Sequence, residues 1–315
     1  MPSSGPSSER PLVAAVVGPT AVGKSSVSLL LAERFGGEII NADSMQVYRG
    51  FDIGTDKPGS EERARVPHHL LDIVDGRTQF TAADFAVRAA EAAVSISGRG
   101  RLPIIVGGTG LYIKALFEGL FPGPGRDDAV RAALAEEARK DGWEVLRRRL
   151  ECLDPEYAAK IGRNDGIRII RALEVQAVTG IPLTEHFRRT TGYLQGFALI
   201  LIGLRRDRTS LVRRIDERVE RMFERGLIEE VRGLRAGGLE ENAPPFKALG
   251  YRHVLRFLRG EWTLEESKTG TKIDTRHYAK RQETWFRRTP GLVWFGADDG
   301  EAIIDFIAGQ RKDHG

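Results

Sequence analysis

The residues with the clearest chemical signature form the segment GPTAVGKS at 18–25. Its spacing matches the phosphate-loop pattern G-x-x-x-x-G-K-[ST], in which backbone N–H groups converge on phosphate oxygens and the lysine adds a charge. The lysine here is Lys24, and the hydroxyl of Ser25 is placed to bind Mg²⁺. The segment predicts a site for a phosphorylated ligand but does not say which ligand.

A carboxylate that could act as a general base follows the second predicted strand. Asp43 lies just past GEII at 37–40, on the side of the sheet where ligands bind in open α/β folds. A carboxylate there could take a proton from an incoming nucleophile. An isolated aspartate in a polar loop is more often a cap or turn residue, and that alternative stays open. No later predicted strand ends in the aspartate with which a phosphate-loop hydrolase holds Mg²⁺.

Three other features bound the chemistry. GGTGLY at 107–112 lacks the third glycine of a dinucleotide loop, although the hydroxyl of Thr109 could still face phosphates. His68 and His69 are adjacent and have no nearby ligand spacing, so we expect a structural role for them. Cys152 is the single cysteine, which excludes a disulfide framework and a cysteine zinc site.

The sequence around these residues predicts an α/β fold. Apolar runs predict buried parallel strands, and helical spacing of Val27, Leu31 and Phe35 predicts a helix that begins near Lys24. Strand, glycine loop and helix is the context that a phosphate loop requires. We therefore predict a phosphate-loop-containing parallel sheet with helices on both faces. The predicted strands are 12–19, 37–40, 102–108, 197–204 and 292–295.

The middle of the chain has a different pattern. Residues 126–190 contain charged, helix-forming stretches and no convincing strand, which predicts an all-helical insertion domain. The catalytic core then comprises 12–125 and 191–315, with its C-terminal helices, and 1–11 form a disordered tail. TLEE at 263–266 predicts a capping box for a long final helix.

Composition indicates an ordinary globular protein. Of the 315 residues, 41% are hydrophobic and 29% are charged, and the longest apolar run is too short to span a bilayer. The N-terminal segment does not resemble a signal peptide, so we expect a cytoplasmic protein. A net charge of +4 is weak evidence for nucleic-acid binding. KRQETWFRR at 280–288 is more basic, but a solvated helix face explains it equally well.

An ordered series of motifs carries a family resemblance. From residue 12 to about 288, the chain resembles the bacterial tRNA dimethylallyltransferases, also called tRNA isopentenyltransferases. The phosphate loop is shared with many proteins, but the ordered set is specific. The motifs are GPTAVGKS, NADSMQVY, GTDKP, VPHHLLDI, TAADF, IIVGGTGLYIKAL, NDGIRIIRALEV, RIDERVERM, GLIEEV, ALGYRH and TRHYAKRQETWFR.

The resemblance implies a reaction. Such enzymes transfer an isoprenoid from dimethylallyl diphosphate to the exocyclic N6 of an adenosine immediately 3′ of the anticodon, and diphosphate leaves. No hydrolytic water is needed, so the missing strand-end aspartate is expected. The implied partners are the tRNA anticodon stem-loop and dimethylallyl diphosphate, with Mg²⁺ as cofactor. No membrane and no obligate protein partner is implied, and we expect a monomer.

The resemblance also implies site residues. Asp43 matches the general base, Thr109 a contact near the reacting centre, and Arg218 an arginine that reaches the diphosphate. The diphosphate cradle comprises Gly18, Pro19, Thr20, Ala21, Val22, Gly23, Lys24 and Ser25. Positions that match tRNA contacts are Asp43, Ser44, Met45, Gln46, Thr109, Arg131, Ile167, Arg168, Ile169, Ile170, Arg171, Phe246, Lys247, Ala248, Leu249, Gly250 and Tyr251.

Other functions are weighed against this one. An adenylate isopentenyltransferase would need neither the helical insertion nor the tRNA-type motifs. A small-molecule kinase should prefer ATP to dimethylallyl diphosphate. A non-catalytic RNA-binding module would need neither the phosphate loop nor Asp43. The arginines of the insertion could also pair only with acids such as Glu136, Glu137 and Glu174.

Overall fold

A computed structural model describes residues 10–121 and 123–313. Residues 1–9 of the predicted tail lie outside this range. The chain divides into two compact units, which are Met1–Leu116 with Tyr193–Gly315, and Phe117–Gly192. We call them the sheet unit and the helical unit. In the part of the chain that is described, no helix is long and apolar enough to cross a bilayer.

The sheet unit is built on six parallel strands in the order β3-β2-β4-β1-β5-β6. This confirms the predicted parallel sheet, and each of the five predicted strands is present. The two-residue strand β3 at the sheet edge was not predicted. The strands are β1 (Leu12–Val17), β2 (Glu38–Asn41), β3 (His68–His69), β4 (Pro103–Gly107), β5 (Ala198–Arg205) and β6 (Val293–Gly296).

Alternating side chains explain how the sheet is covered. Ala14 and Val16 of β1 are buried on one face with Ile104 of β4 and Ile202 of β5, and this cluster includes apolar residues of the helices at 24–35 and 300–313. Residues two apart along a strand point to the same face, so Val13, Ala15 and Val17, also buried, point to the other one. Burial on both faces accounts for the continuous apolar runs in the sequence.

Nine α-helices of the described chain belong wholly or mainly to the sheet unit. The capping box predicted at TLEE is confirmed, because Thr263 accepts from the N–H of Glu266, but its helix is not the final one. A strand and a further helix follow it. The helices are α1 (Lys24–Phe35), α2 (Ser60–Arg65), α3 (Ala82–Gly98), α4 (Gly110–Glu118), α10 (Arg208–Glu224), α11 (Leu227–Ala236), α12 (Leu249–Leu258), α13 (Leu264–Phe286) and α14 (Gly300–Asp313), with a 3₁₀ turn at Pro244–Lys247.

The helical unit has its own core. Leu146, Leu150, Ile169 and Val175 are buried together, so the unit encloses apolar surface without a sheet. Its residues at 117–121 and 123–192 contain no strand. The helices are α5 (Asp128–Asp141), α6 (Trp143–Leu153), α7 (Pro155–Lys160), α8 (Gly166–Thr179) and α9 (Leu183–Arg188).

Candidate active site

The phosphate loop lies between β1 and α1, as its motif predicts. Gly18 has φ +149°, and a Cβ there would lie 2.7 Å from the Leu204 carbonyl oxygen, so only glycine fits. The helix α1 begins at Lys24 with no acidic residue in its first turn and no side-chain cap. Its first N–H groups therefore remain available to an anion, which the positive end of the helix dipole also favours.

The side chain of Lys24 folds back onto the first residues of the phosphate loop. Its Nζ donates to the carbonyl oxygens of Gly18, at 3.0 Å, and of Pro19, at 2.8 Å. Burial lowers the pKa of Lys24 from 10.5 to about 8; the Asp43 carboxylate opposes this shift and the Arg218 guanidinium adds to it. Among the described residues, the ammonium group thus has carbonyl partners and no carboxylate in hydrogen-bond contact, and an anionic ligand would stabilise its charge.

A second cation reaches the loop from α10. Nη1 of Arg218 donates to the Thr20 hydroxyl at 2.7 Å, and Nη2 donates to the Thr55 carbonyl at 3.3 Å. The carboxylate of Asp56 lies 3.2 Å from Nε. Because all three sides of the guanidinium have partners, Arg218 is held in one orientation beside the phosphate loop.

Asp43 follows β2 in a turn that its own side chain stabilises. Its Oδ1 accepts from the N–H of Met45 at 2.8 Å, and no other described residue donates a hydrogen bond to the carboxylate. Thr109 fixes the same turn, because its hydroxyl accepts from the N–H of Ser44 at 3.2 Å and its N–H donates to Ala42. The cap and general-base interpretations are therefore compatible, since Oδ2 stays available for a proton.

Lys24, Ser25, Asp43 and Arg218 line one cleft of about 540 Å³. Cations gather on one part of the lining, and the carboxylate of Asp43 is close enough to Lys24 to affect its pKa. A ligand in this cleft would meet hydrogen-bond donors for an anion beside a carboxylate that can accept a proton. The lining includes Thr20, Lys24, Ser25, Asp43, Gln46, Asp56, Arg214, Arg218, Arg221, Arg225 and Gln282.

The histidine pair forms β3 at the edge of the sheet, and His68 also lines the cleft. His69 lies 2.7 Å from Glu38, and Nδ1 of His68 contacts the Val66 carbonyl at 2.7 Å. No group of three or more histidine, cysteine, aspartate or glutamate residues that could hold a metal ion occurs among the described residues. The pair therefore anchors the edge of the sheet.

In the helical unit, two predicted tRNA contacts share a buried carboxylate. Arg131 donates to Glu174 at 2.9 Å and Arg171 donates to it at 2.7 Å, and Glu174 is fully buried. Burial opposes ionisation of Glu174, but the two arginines and the Asp127 N–H outweigh it and lower its pKa to about 2. The pairing that the sequence left as an alternative is present for both of these arginines.

Glu174→Gln should therefore lower the free energy of unfolding of the helical unit. We expect a loss of about 3 kcal/mol at pH 7, the lower end for a broken buried pair because both arginines are partly exposed. Urea denaturation measures this loss.

The same substitution should have a pH-dependent effect. The pKa of Glu174 in the folded protein lies below its ordinary value, so the stability advantage of the wild type should be complete above pH 4.5 and fall as the pH approaches 2. The exposed Glu136 is the control, and Glu136→Gln should leave the stability nearly unchanged because exposed ion pairs contribute little. Equal losses in both variants would contradict the special role of Glu174.

The other predicted contacts of α8 differ in exposure. Ile169 is buried in the core of the helical unit and Ile170 packs against it, whereas Ile167 is 83% exposed. Arg168 is exposed and lies 3.3 Å from Asp165, which also caps the helix. Side chains available to an external partner on this segment are therefore Ile167 and Arg168.

The segment at 246–251 is mostly internal. Phe246 and Tyr251 are buried with Phe51, and the Tyr251 hydroxyl donates to Glu230 at 2.6 Å. Burial, together with Glu230, raises the pKa of Tyr251. Lys247 has the exposed side chain of this segment. Its motif therefore places aromatic residues in the core of the sheet unit, and a direct contact with RNA would fall to Lys247 and to the backbone.

Comparisons with known proteins decide the family. The family model described as IPP transferase matches residues 46–289. The chain belongs to the IPP transferase family. It is 50% identical over 286 residues to the tRNA dimethylallyltransferase of Geobacter metallireducens, covering 91% of this chain and 93% of the relative. It is also 50% identical over 285 residues to the tRNA dimethylallyltransferase of Solibacter usitatus, covering 90% of this chain and 92% of the relative.

Solved structures agree with this family. The tRNA isopentenylpyrophosphate transferase of Bacillus halodurans has a TM-score of 0.72 and 41% identity, over 96% of this chain and 97% of that one. A eukaryotic dimethylallyltransferase acting on tRNA has a TM-score of 0.76 and 30% identity, over 96% of this chain and 77% of that one. The shared IPP transferase fold therefore extends along nearly the whole chain.

Two residues of this family member near the site were not singled out from the sequence. Gln282 contacts both glycine turns that border the cleft. Burial and the Asp43 carboxylate raise the pKa of Tyr278 to about 12, so its hydroxyl stays protonated. The two residues are four apart on α13 and hence share a helix face. Their motif, TRHYAKRQETWFR, is part of the family resemblance and overlaps the basic stretch at 280–288, but neither residue was given a role.

Proposed function

We propose that this IPP transferase family member transfers a dimethylallyl group from dimethylallyl diphosphate to N6 of the adenosine 3′-adjacent to the tRNA anticodon. The observation that carries the proposal is the cleft itself, in which Lys24 of the phosphate loop and Arg218 lie with Asp43, which follows β2, two strands from β1 in the sheet. Relatives that are 50% identical to this chain are named for prenyl transfer to tRNA. The names of the relatives and of the similar solved structures favour neither a kinase nor an adenylate isopentenyltransferase.

The reaction forms one carbon–nitrogen bond, breaks one carbon–oxygen bond and transfers one proton. The N6 nitrogen attacks C1 of the dimethylallyl group, the bond from C1 to the diphosphate oxygen breaks, and diphosphate leaves with the electron pair. The proton of N6 passes to Asp43. The lone pair of N6 is delocalised into the adenine ring, so both a base on the proton and stabilisation of the leaving group are required.

The residues divide these tasks. Lys24, Arg218 and the first N–H groups of α1 would neutralise the charge that develops on the leaving diphosphate. Asp43 would accept the proton, while Ser44, Gln46 and Thr109 would hold the adenosine. Gln46 is itself held, because its amide donates to the carbonyls of Thr55 and Asp56 at 3.1 and 3.3 Å. The adenine-contacting turn is thereby fixed relative to the loop that orients Arg218.

The donor set fits a Mg²⁺ ion bound together with the diphosphate. Ser25 is exposed in the cleft at the start of α1, where its hydroxyl could serve as one ligand. Mg²⁺ characteristically takes one or two protein ligands and fills its coordination with substrate phosphates and water. When bound, it would supply charge neutralisation on the diphosphate.

We infer that the helical unit helps to hold the anticodon stem-loop. The target adenosine must leave its stack to enter the cleft, and bases of a loop are the part of RNA that proteins read most readily. Arg168 and Ile167 are exposed next to each other on α8, one suited to a phosphate and the other to an apolar contact. Arg131 and Arg171 would serve RNA only in addition to neutralising Glu174.

Arg168→Ala should weaken tRNA binding without affecting the isoprenoid substrate. Loss of one phosphate contact is expected to reduce the log–log salt slope of tRNA affinity by roughly one unit. Titration of labelled tRNA at several salt concentrations measures it, and the KM for dimethylallyl diphosphate should be unchanged. The control is Arg139→Ala, an equally charged and exposed position of the same unit. If both variants keep the wild-type slope, Arg168 does not contact a phosphate.

The activity itself is tested with radiolabelled dimethylallyl diphosphate and unmodified tRNA, with AMP and ATP as competing acceptors. We expect label in tRNA, at the adenosine beside the anticodon, and none in the nucleotides. Preferential labelling of AMP or ATP would instead indicate an adenylate isopentenyltransferase. A phosphorylated product formed from ATP would indicate a kinase.

A further inference from the structure

Gln282 joins the two turns that carry the proposed catalytic groups. Its Oε1 accepts from the backbone N–H of Thr20 at 2.8 Å, and its Nε2 donates to the carbonyl of Gly108 at 2.9 Å. The side chain is buried, with 6% of the residue exposed. One amide group from α13 thus bridges the phosphate loop after β1 and the glycine turn after β4.

Each end of this bridge continues to a different part of the reaction centre. On one side, the Thr20 hydroxyl accepts from Arg218, which is assigned to the leaving diphosphate. On the other side, Gly108 precedes Thr109, whose hydroxyl accepts from Ser44, next to the proposed base. The bridge therefore lies between the groups that would act on the diphosphate and those that would act on the nucleophile.

The two contacts require a side chain that has both an acceptor and a donor, which the neutral amide supplies. A single side chain must accept from one backbone N–H and donate to one backbone carbonyl, which a carboxylate or an aliphatic chain cannot do. A Cβ at position 108 would lie 2.2 Å from Nε2, so the absence of a side chain at Gly108 leaves the space that the amide occupies. Buried polar groups left without partners are costly, so both turns depend on this side chain.

We propose that Gln282 is a positioning residue of the transfer reaction, which sets the separation between the diphosphate loop and the glycine turn that carries Thr109, the residue whose hydroxyl holds the Asp43 turn. This inference rests on the proposed prenyl transfer. Gln282 itself takes no part in bond making or proton transfer. Its effect comes through geometry, because in-line displacement requires N6, C1 and the leaving oxygen to be aligned, and a displacement near 1 Å can cost about 10²-fold in rate.

The first test uses Gln282→Met, which keeps the length of the side chain and removes both hydrogen bonds. We expect kcat at saturating dimethylallyl diphosphate and tRNA to fall by roughly 10²-fold, with much smaller changes in both KM values. The control is Glu283→Gln on the next residue of α13, which is partly exposed and pairs with Arg287, and it should keep wild-type kcat. Wild-type kcat in Gln282→Met would overturn the proposal.

The second test separates positioning from stability. In Gln282→Glu the ionised carboxylate cannot donate to Gly108, but the protonated carboxyl has one acceptor and one donor, as the amide has. Its kcat relative to wild type should therefore rise as the pH falls, whereas the deficit of Gln282→Met should not change. Equal deficits at every pH in both variants, matched by equal losses of Tm, would show a merely structural role. Absence of prenyl transfer by the wild-type protein would instead refute the proposed function.

Discussion

Asp43→Ala should slow single-turnover transfer to tRNA by roughly 10²- to 10⁴-fold, the range for loss of a general base. The reason is that Asp43 is the carboxylate at the end of β2, beside the loop that holds Lys24, and has one oxygen available for the N6 proton. Affinity for tRNA should remain nearly intact, because no phosphate contact is lost. Rapid mixing of enzyme in excess with labelled dimethylallyl diphosphate and tRNA measures the rate.

Asp43→Asn distinguishes the base from the turn residue. The asparagine oxygen can still accept from the Met45 N–H, so the turn should survive, yet the amide cannot take the proton. We expect the two Asp43 variants to be similarly slow. Glu62→Gln is a matched control, since it removes another carboxylate from the lining of the same cleft. A rate for Asp43→Asn close to that of wild type, with a slow Asp43→Ala, would leave Asp43 with the role of a turn cap.

The order of elements was predictable because the strands are buried on both faces. Runs such as LVAAVV at 12–17 contain no polar residue to interrupt them, and the glycines and Lys24 that follow mark where the first strand ends. The strand His68–His69 was missed because two residues give no periodicity. Its pairing with Ile39 and Ile40 makes it a strand, and that information lies elsewhere in the chain.

The proposed site was predictable only in part, because contacts between distant parts of the chain place its side chains. A motif identifies which residues recur together, but it does not say where a side chain points. Phe246 and Tyr251 were predicted to contact tRNA, and their side chains are buried against Phe51. Gln282 is 262 positions from Thr20, so no local pattern could pair them. The pairing of Arg131 with Glu174 spans 43 positions and two helices, beyond the reach of helical spacing.

Substitution of the residues that contact the diphosphate should affect a different kinetic parameter from substitution of the base. Arg218→Ala and Lys24→Ala should each lower kcat/KM for dimethylallyl diphosphate by about 10²- to 10³-fold, as expected when one donor to a developing oxyanion is removed. Arg218→Ala also frees Thr20 and Asp56, so its structural effects need a check by Tm. Steady-state kinetics with dimethylallyl diphosphate at saturating tRNA measures both variants. Unchanged kcat and KM in either one would contradict the role of that residue.

Lys24 also predicts a pH dependence. Because burial lowers the pKa of Lys24 to about 8 in the free protein, the ammonium group loses its proton as the pH rises through that value. The profile of kcat/KM for dimethylallyl diphosphate reports groups of the free enzyme, so it should fall on the alkaline side above about pH 8. Lys24→Arg keeps a charge at all these pH values and should lack this alkaline fall. Persistence of the fall in Lys24→Arg would assign it to another group.

Stability should change in the opposite direction from activity at this residue. A lysine whose folded pKa lies below its ordinary value binds protons more readily in the unfolded chain, so its charge disfavours folding below about pH 8. Lys24→Met should therefore raise the free energy of unfolding at pH 7 while it suppresses transfer. This gain should shrink as the pH rises from about 8 towards 10.5, where both states lose the charge. Urea denaturation at pH 7 and pH 10 measures it. A Lys24→Met protein that is less stable than wild type at pH 7 would mean that the contacts of the lysine with the Gly18 and Pro19 carbonyls outweigh the cost of burying its charge.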